Sequence, residues 1–262
     1  MIFKKKIVKQ MNGSNYATCS MRGRLGNNLF EIATVLGLSG MRPVFGSWKY
    51  KDVFDWDLVF DDRSCQGIIW NNYLESVFTY LPVLCLNGKN LKIHGYFQSY
   101  KYFDEETIMQ KFKFKESIVS NLREKFKEYL PARTCSIHVR RADYLNDYPT
   151  HLTLGRDYYG ECFDAVDFET DHYIVCSDDI EWCKENFVGK KFVFVEGQLD
   201  YEDMCLMSLC DNNIIANSTF SWWSAFLNAN RNKKVLCPDD HRWFGVDHLN
   251  ARDICPIEWV KI

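Results

Sequence analysis

No cysteine pair in the chain has Cys-x-x-Cys spacing, no apolar run approaches the length of a membrane span, and neither sign of charge dominates. The eleven cysteines are odd in number and scattered from Cys19 to Cys255, several in apolar settings such as Leu84-Cys85-Leu86. That excludes a small disulfide scaffold. His and Cys do not cluster at ligand spacing either, which disfavours zinc, so the thiols read as small core residues in a reducing compartment. The longest mostly apolar stretch, residues 77–86, is about half of the ~20 residues a span requires and is broken by Pro82. Lys4, Lys5 and Lys6 are followed by no apolar core, so the start reads as a solvated tail rather than a signal peptide. A cytoplasmic location is expected, and the glycosylation triplets Asn12-Gly13-Ser14 and Asn217-Ser218-Thr219 should stay unmodified. With 35 acidic and 32 basic residues, bulk charge favours no nucleic-acid partner. Repeats and low-complexity tracts are also missing. What remains is a chain of 262 residues, 47% apolar, with ample material for one large domain or two of roughly 130 residues each.

The second half alternates strands and helices. Residues 134–140 place Cys135, Ile137 and Val139 on one face and Ser136, His138 and Arg140 on the other, which is strand periodicity. Helix within 156–166, strand 172–176, helix 179–187, strand 191–195, helix 201–210, strand 213–216, helix 221–229 and strand 234–237 follow. Such alternation with short connections implies a parallel sheet covered on both faces. The first half repeats the idea: a strand at 16–20, a Gly-rich turn, a helix with Leu29, Ile32, Ala33 and Leu36 on one stripe, a strand at 91–97, and a helix at 116–130 with Ile118, Leu122 and Phe126 on one stripe. Pro131 cannot continue that helix, so the boundary is expected there: an N-terminal domain 1–130 and a C-terminal domain 131–262.

Ligands of open parallel sheets bind beyond the carboxyl ends of the strands. Four polar clusters fall on that edge. Gly23-Arg24-Leu25-Gly26-Asn27 opens a helix, where free N–H groups and the helix dipole favour an anion, or it is an ordinary tight turn. It is not Gly-x-Gly-x-x-Gly, which argues against NAD or FAD. His138-Val139-Arg140-Arg141-Ala142-Asp143 places two adjacent arginines at a strand end. One should face the cleft, where a guanidinium grips a diphosphate with two parallel bonds, unless it forms a structural pair with Asp143. Ser177-Asp178-Asp179 supplies a helix cap and a carboxylate able to accept from a guanine edge. Asn217-Ser218-Thr219-Phe220-Ser221 caps the next helix and makes a second anion-ready N-terminus, with Trp222, Ala225 and Phe226 expected in the core. Asp55-Trp56-Asp57 could hold a divalent ion, but Lys51, Arg63 and the surrounding aromatics read as a surface loop, and no metal is expected.

Together these segments resemble glycosyltransferase family 11, the α-1,2-fucosyltransferases that use GDP-L-fucose. Gly23-Arg24-Leu25-Gly26-Asn27-Asn28-Leu29-Phe30 is similar to the family's N-terminal Gly-x-Leu-Gly-Asn-Gln-x-Phe, and Gly95-Tyr96-Phe97-Gln98 to its central segment. His138 to Tyr144 is similar to His-x-Arg-Arg-x-Asp-Tyr. Ile214 to Trp223 is similar to the C-terminal signature, and Glu258-Trp259-Val260 to the ending. The sequence departs at Asn28, where Gln is usual, and at Glu31, where many bacterial members carry Gln. The resemblance implies an α/β, GT-B-like fold: two Rossmann-like domains facing each other across a cleft, of the soluble microbial type. It implies that fucose passes with inversion from GDP-β-L-fucose to a glycan hydroxyl, the 2-hydroxyl of galactose, without a metal or other cofactor. Arg140 would bind the β-phosphate and, with Asp143, carry the catalysis. His138 and one of Asp178 or Asp179 would touch guanosine. Arg141, Ser177, Asn217, Ser218, Thr219 and Ser221 would complete the donor pocket, and Gly23, Gly26 and Asn27 would close over it. Glu31 and Gln98 would face the acceptor. The general base is left open among Asp143, Glu31 and His94, and Asp143 would be weakened by pairing with Arg141. The alternatives are a transferase of another nucleotide sugar, including a metal-dependent one built on Asp55 and Asp57, and a non-catalytic GDP-sugar or glycan-binding module.

Overall fold

The computed structural model describes residues 15–84, 88–246 and 248–262. The lysines at 4–6, the triplet at 12–14 and Cys85, inside the 77–86 run, lie outside the described residues.

The chain builds two parallel sheets. The first takes β1 (Asn15–Cys19), β2 (Met41–Pro43), β3 (Trp70–Leu74) and β4 (Asn90–His94), in the order β2-β1-β4-β3. Helix α1 (Leu25–Gly37) buries Leu29, Ile32 and Ala33 against it, with Leu36 at the margin. The connection to the second sheet contains α2 (Glu105–Lys111) and α3 (Glu116–Lys125). The second sheet takes β5 (Thr134–Val139), β6 (His172–Ser177), β7 (Phe192–Phe194), β8 (Asn212–Ile214), β9 (Val235–Cys237) and β10 (Val260–Lys261). Its helices are α4 (Arg156–Ala165), α5 (Ile180–Asn186), α6 (Asp200–Ser208) and α7 (Thr219–Phe226). Its order is β10-β9-β8-β5-β6-β7. From β5 the chain winds outward through β6 and β7, then returns to the other side of β5 for β8, β9 and β10. This is the dinucleotide-fold order, with its switch point between β5 and β8.

Every residue of β5 from Thr134 to Val139 is buried, on its polar face as on its apolar one, as expected of a sheet covered on both sides. Helices cover both faces of a parallel sheet, so Ser136 needs a partner, and Asn213 Nδ2 donates to its hydroxyl at 2.7 Å. The strand expected at 91–97 stops at His94, because Gly95 (φ +150°) and Phe97 (φ +50°) turn the chain aside. The helix expected to reach 130 ends at Lys125. Short β2 and β10 and the Asn-rich, half-exposed β3 carry no sequence periodicity and were not expected.

The two halves share their core. Leu122 and Phe126, from the first half, pack with Cys176, Cys205 and Leu206 of the second. In return, Trp222, Trp223, Ile254 and Trp259 join Phe30 and Ile93. Trp222, Ala225 and Phe226 are buried, as expected of core residues, and Trp223 is fully buried beside them. Among the described residues, no helix is long and apolar enough to cross a membrane.

Candidate active site

The carboxyl edges of both sheets open onto one cavity of about 620 Å³. Its walls come from the α1 and α7 N-termini, the β5 and β6 ends, the start of α6, and residues near 78, 96–98, 150 and 243–249.

Helices α1 and α7 meet head to head. A Cβ on Gly26 would lie 2.6 Å from the Thr219 carbonyl carbon and 2.7 Å from the Phe220 nitrogen, so only glycine lets the two N-termini touch. Gly26 therefore serves helix contact more than ligand access. Gly23 turns the chain with φ +78°. Asn27 Oδ1 accepts from the Thr219 hydroxyl at 2.8 Å and from Gln98 Nε2 at 3.0 Å, so one amide joins both halves at the cavity wall. Ser218 caps α7 through the Phe220 N–H, whereas α1 has no side-chain cap and keeps its first-turn N–H groups available.

At the end of β5 the two arginines separate. Arg140 faces the cavity, its Nη2 2.6 Å from Asp143 Oδ2, its Nη1 2.9 Å from Asp178 Oδ2, and its guanidinium 5.5 Å from the Tyr144 ring centroid. Arg141 turns the other way. Its Nε donates to Asp179 Oδ2 at 3.1 Å and its guanidinium stacks 4.3 Å from the Trp182 ring, outside the cavity. Asp143 thus pairs with Arg140, and at 3.6 Å with Arg24, rather than with Arg141.

Four further expected site residues are held by the protein itself. Asp179 is occupied by α5, accepting from the Trp182 N–H while Oδ2 holds Arg141. Asp178 lines the cavity, but its oxygens take Arg140 and the Arg141 N–H. Ser221 is fully buried and donates back to the Ser218 and Ala216 carbonyls, away from the cavity. Glu31 is also fully buried and absent from the wall. Its oxygens accept from the Ser20 hydroxyl at 3.0 Å and the Arg22 N–H at 2.7 Å. It thereby braces a loop in which Met21 has φ +53°. Glu75 does the same for the second turn, accepting from the N–H groups of Tyr96 and Phe97. Asn28 is likewise structural, joined to the Arg22 carbonyl and the Trp48 indole. His94 pairs with Asn72, and Asp57 with Lys111. Ser177 reaches the wall while accepting from the Asp179 N–H, and Asn217 does so while its amide holds the Leu152 and Trp243 carbonyls.

Burial pushes the Glu31 carboxyl up to about 7. The folded chain then holds this proton more tightly than the unfolded chain. Its stabilising contribution is complete below the ordinary value of 4.5 and is lost as pH rises through about 7. Glu31→Gln can keep both hydrogen bonds. It should therefore narrow the difference in urea midpoint between about pH 5 and about pH 8. An unchanged difference would contradict the raised titration of Glu31.

Sequence reasoning missed the acidic start of α6. Asp200 accepts from the Tyr50 hydroxyl, and Asp203 lines the cavity with Oδ1 buried and unpartnered. Burial, then Glu202 and Asp200, push its carboxyl up to about 7. The signal was present, since Asp200 and Asp203 follow β7 on the same carboxyl edge. His138 is buried beside Phe220, and desolvation with the Arg140 charge holds it neutral, down to about 3. His138 Nδ1 and Asn217 Oδ1 are also buried without partners. All three residues line the cavity, where a polar ligand is one source of the partners that buried polar groups almost always have.

The whole chain, residues 1–262, matches the model of the glycosyl transferase family 11. An alpha-1,2-colitosyltransferase of Escherichia coli is 34% identical, covering 92% of this chain and 97% of its own. The galactoside 2-alpha-L-fucosyltransferase SEC1 of Bos taurus is 26% identical over 80% of this chain, which spans 64% of the bovine enzyme. The crystal structure of NodZ alpha-1,6-fucosyltransferase soaked with GDP-fucose superposes with a TM-score of 0.57 at 14% identity, over 87% of this chain and 97% of that one. The fold is GT-B-like, as expected. By sequence over its full length, the chain belongs to glycosyltransferase family 11.

Proposed function

We propose that the protein transfers L-fucose with inversion from GDP-β-L-fucose to the 2-hydroxyl of a terminal galactose on a glycan. Residues 131–262 hold the donor, and the acceptor enters between them and residues 1–130. The observation that carries this reading is the pairing, in one cavity, of a cationic Arg140 at the β5–β8 switch point with two converging helix N-termini. As the sugar–phosphate bond breaks, negative charge grows on the diphosphate, and these groups are already aimed to receive it. No divalent ion is required in this scheme. In this scheme guanine is recognised by Asp203 and His138, which line the cavity and carry buried polar atoms without a partner among the described residues, while Asp178 and Asp179 are each held by an arginine. A carboxylate suits the adjacent N–H donors of a guanine edge. The buried free thiols agree with a cytoplasmic setting.

The test is a transfer assay with GDP-fucose and galactose-terminated oligosaccharides, with the product linkage read by NMR. An α-1,2 product whose yield survives excess EDTA is expected, as is thermal stabilisation by GDP in preference to UDP or ADP. Preference for UDP, or loss of transfer in EDTA, overturns the reading. An activated colitose donor belongs in the same assay because of the 34% identical colitosyltransferase.

A further inference from the structure

We infer that an aromatic wall running from Tyr144 to Phe78 seats the acceptor sugar, and that His151 on this wall takes the proton of its attacking hydroxyl. The inference rests on the transfer reaction proposed above and supplies its missing base. Asp143 is engaged by Arg140 and Arg24, Glu31 is closed off from the cavity, and His94 lies outside it. His151 lines the cavity. Its Nδ1 lies 2.5 Å from Asp147 Oδ2, while Nε2 has no protein partner among the described residues. A carboxylate accepting from Nδ1–H fixes the tautomer that presents the Nε2 lone pair, and the pair forms a base with its orienting group.

The surroundings suit a pyranoside. The Tyr144 and His151 rings stack with centroids 4.5 Å apart, His151 meets Phe244 at 5.7 Å, and Phe244 meets Phe78 edge-on at 5.0 Å. All four rings line the cavity, and Phe78 and Phe244 are only partly buried. The first ring adjoins Arg140 and the last comes from the first half of the chain. Aromatic faces give a sugar's C–H surface an apolar platform, with a few polar groups to orient it. In the reaction, the acceptor O–H proton passes to His151 Nε2 as that oxygen bonds the anomeric carbon. The anomeric C–O bond to the β-phosphate breaks, and its electron pair leaves with GDP. Asp147, a positioning residue, balances the imidazolium.

Steady-state kinetics with GDP-fucose and a galactoside test this. His151→Ala should lower kcat at least tenfold, with the KM for GDP-fucose and stabilisation by GDP unchanged; added imidazole should restore part of the turnover. Asp147→Asn should lower kcat less, again without a change in donor KM. Phe244→Ala should raise the acceptor KM and leave GDP affinity alone. His151→Gln fills the space without supplying a base, and it decides the matter if the alanine variant fails to fold. Wild-type kcat in His151→Gln, or an unchanged acceptor KM in Phe244→Ala, overturns the inference. A wild-type chain that binds GDP but moves no fucose overturns the proposed function instead.

Discussion

Arg140→Ala should slow fucosyl transfer by at least about a hundredfold while the chain stays folded. Removing one preorganised donor to developing negative charge commonly costs ~3 kcal/mol. Here the loss is compounded, because Asp143 and Asp178 would remain beside the departing diphosphate without the cation that balances them. Arg140→Lys separates charge from geometry. Lysine restores the charge but not the planar fork that reaches both carboxylates and a phosphate, so it should recover only part of the rate. Circular dichroism melts check folding, and kcat at saturating donor gives the effect. Full turnover in Arg140→Ala would end the assignment of Arg140 to the leaving group.

The second large effect is expected at Asp203. Asp203→Asn should weaken GDP-fucose binding by about a hundredfold and erode discrimination between GDP and other nucleotides, because an amide group would oppose the guanine N–H donors. The wild-type protein should also show a pH signature. With its carboxyl near 7, Asp203 is largely protonated below that pH and becomes an acceptor above it. Affinity should therefore rise as pH increases through about 7, and the curve should flatten in Asp203→Asn. GDP-fucose is the ligand of choice, since the terminal phosphate of GDP titrates at about 6. Glu31 titrates in the same range but sits outside the cavity, so Glu31→Gln should leave this binding curve in place. Calorimetric titration at several pH values reads both results, and nucleotide selectivity unaltered in Asp203→Asn would refute the role.

Local chemistry was legible in the sequence because it depends on neighbours along the chain. The periodicities of β5, β6, α1 and α7, the Gly23 turn and the Ser218 cap follow from backbone preference and the alternation of apolar residues. The carboxyl-edge rule then collected Gly23, Asn27, His138, Arg140, Asp178 and Ser218 onto one wall. Edge strands β2, β3 and β10 escaped because short, partly exposed segments need no such pattern.

What the sequence determined by itself was the class of fold, the family and the edge where chemistry gathers. Tertiary structure alone decided which member of each adjacent pair faces the cavity: Arg140 and not Arg141, Asp178 and not Asp179. It also decided that Glu31 braces a loop, that Asp203 is left without a partner, and that Gly26 meets Thr219 from across the chain. The physical reason is that orientation and desolvation are set by groups arriving from distant segments. Side-chain identity shows what a residue can do, while its charge, partners and access to a ligand depend on what packs around it.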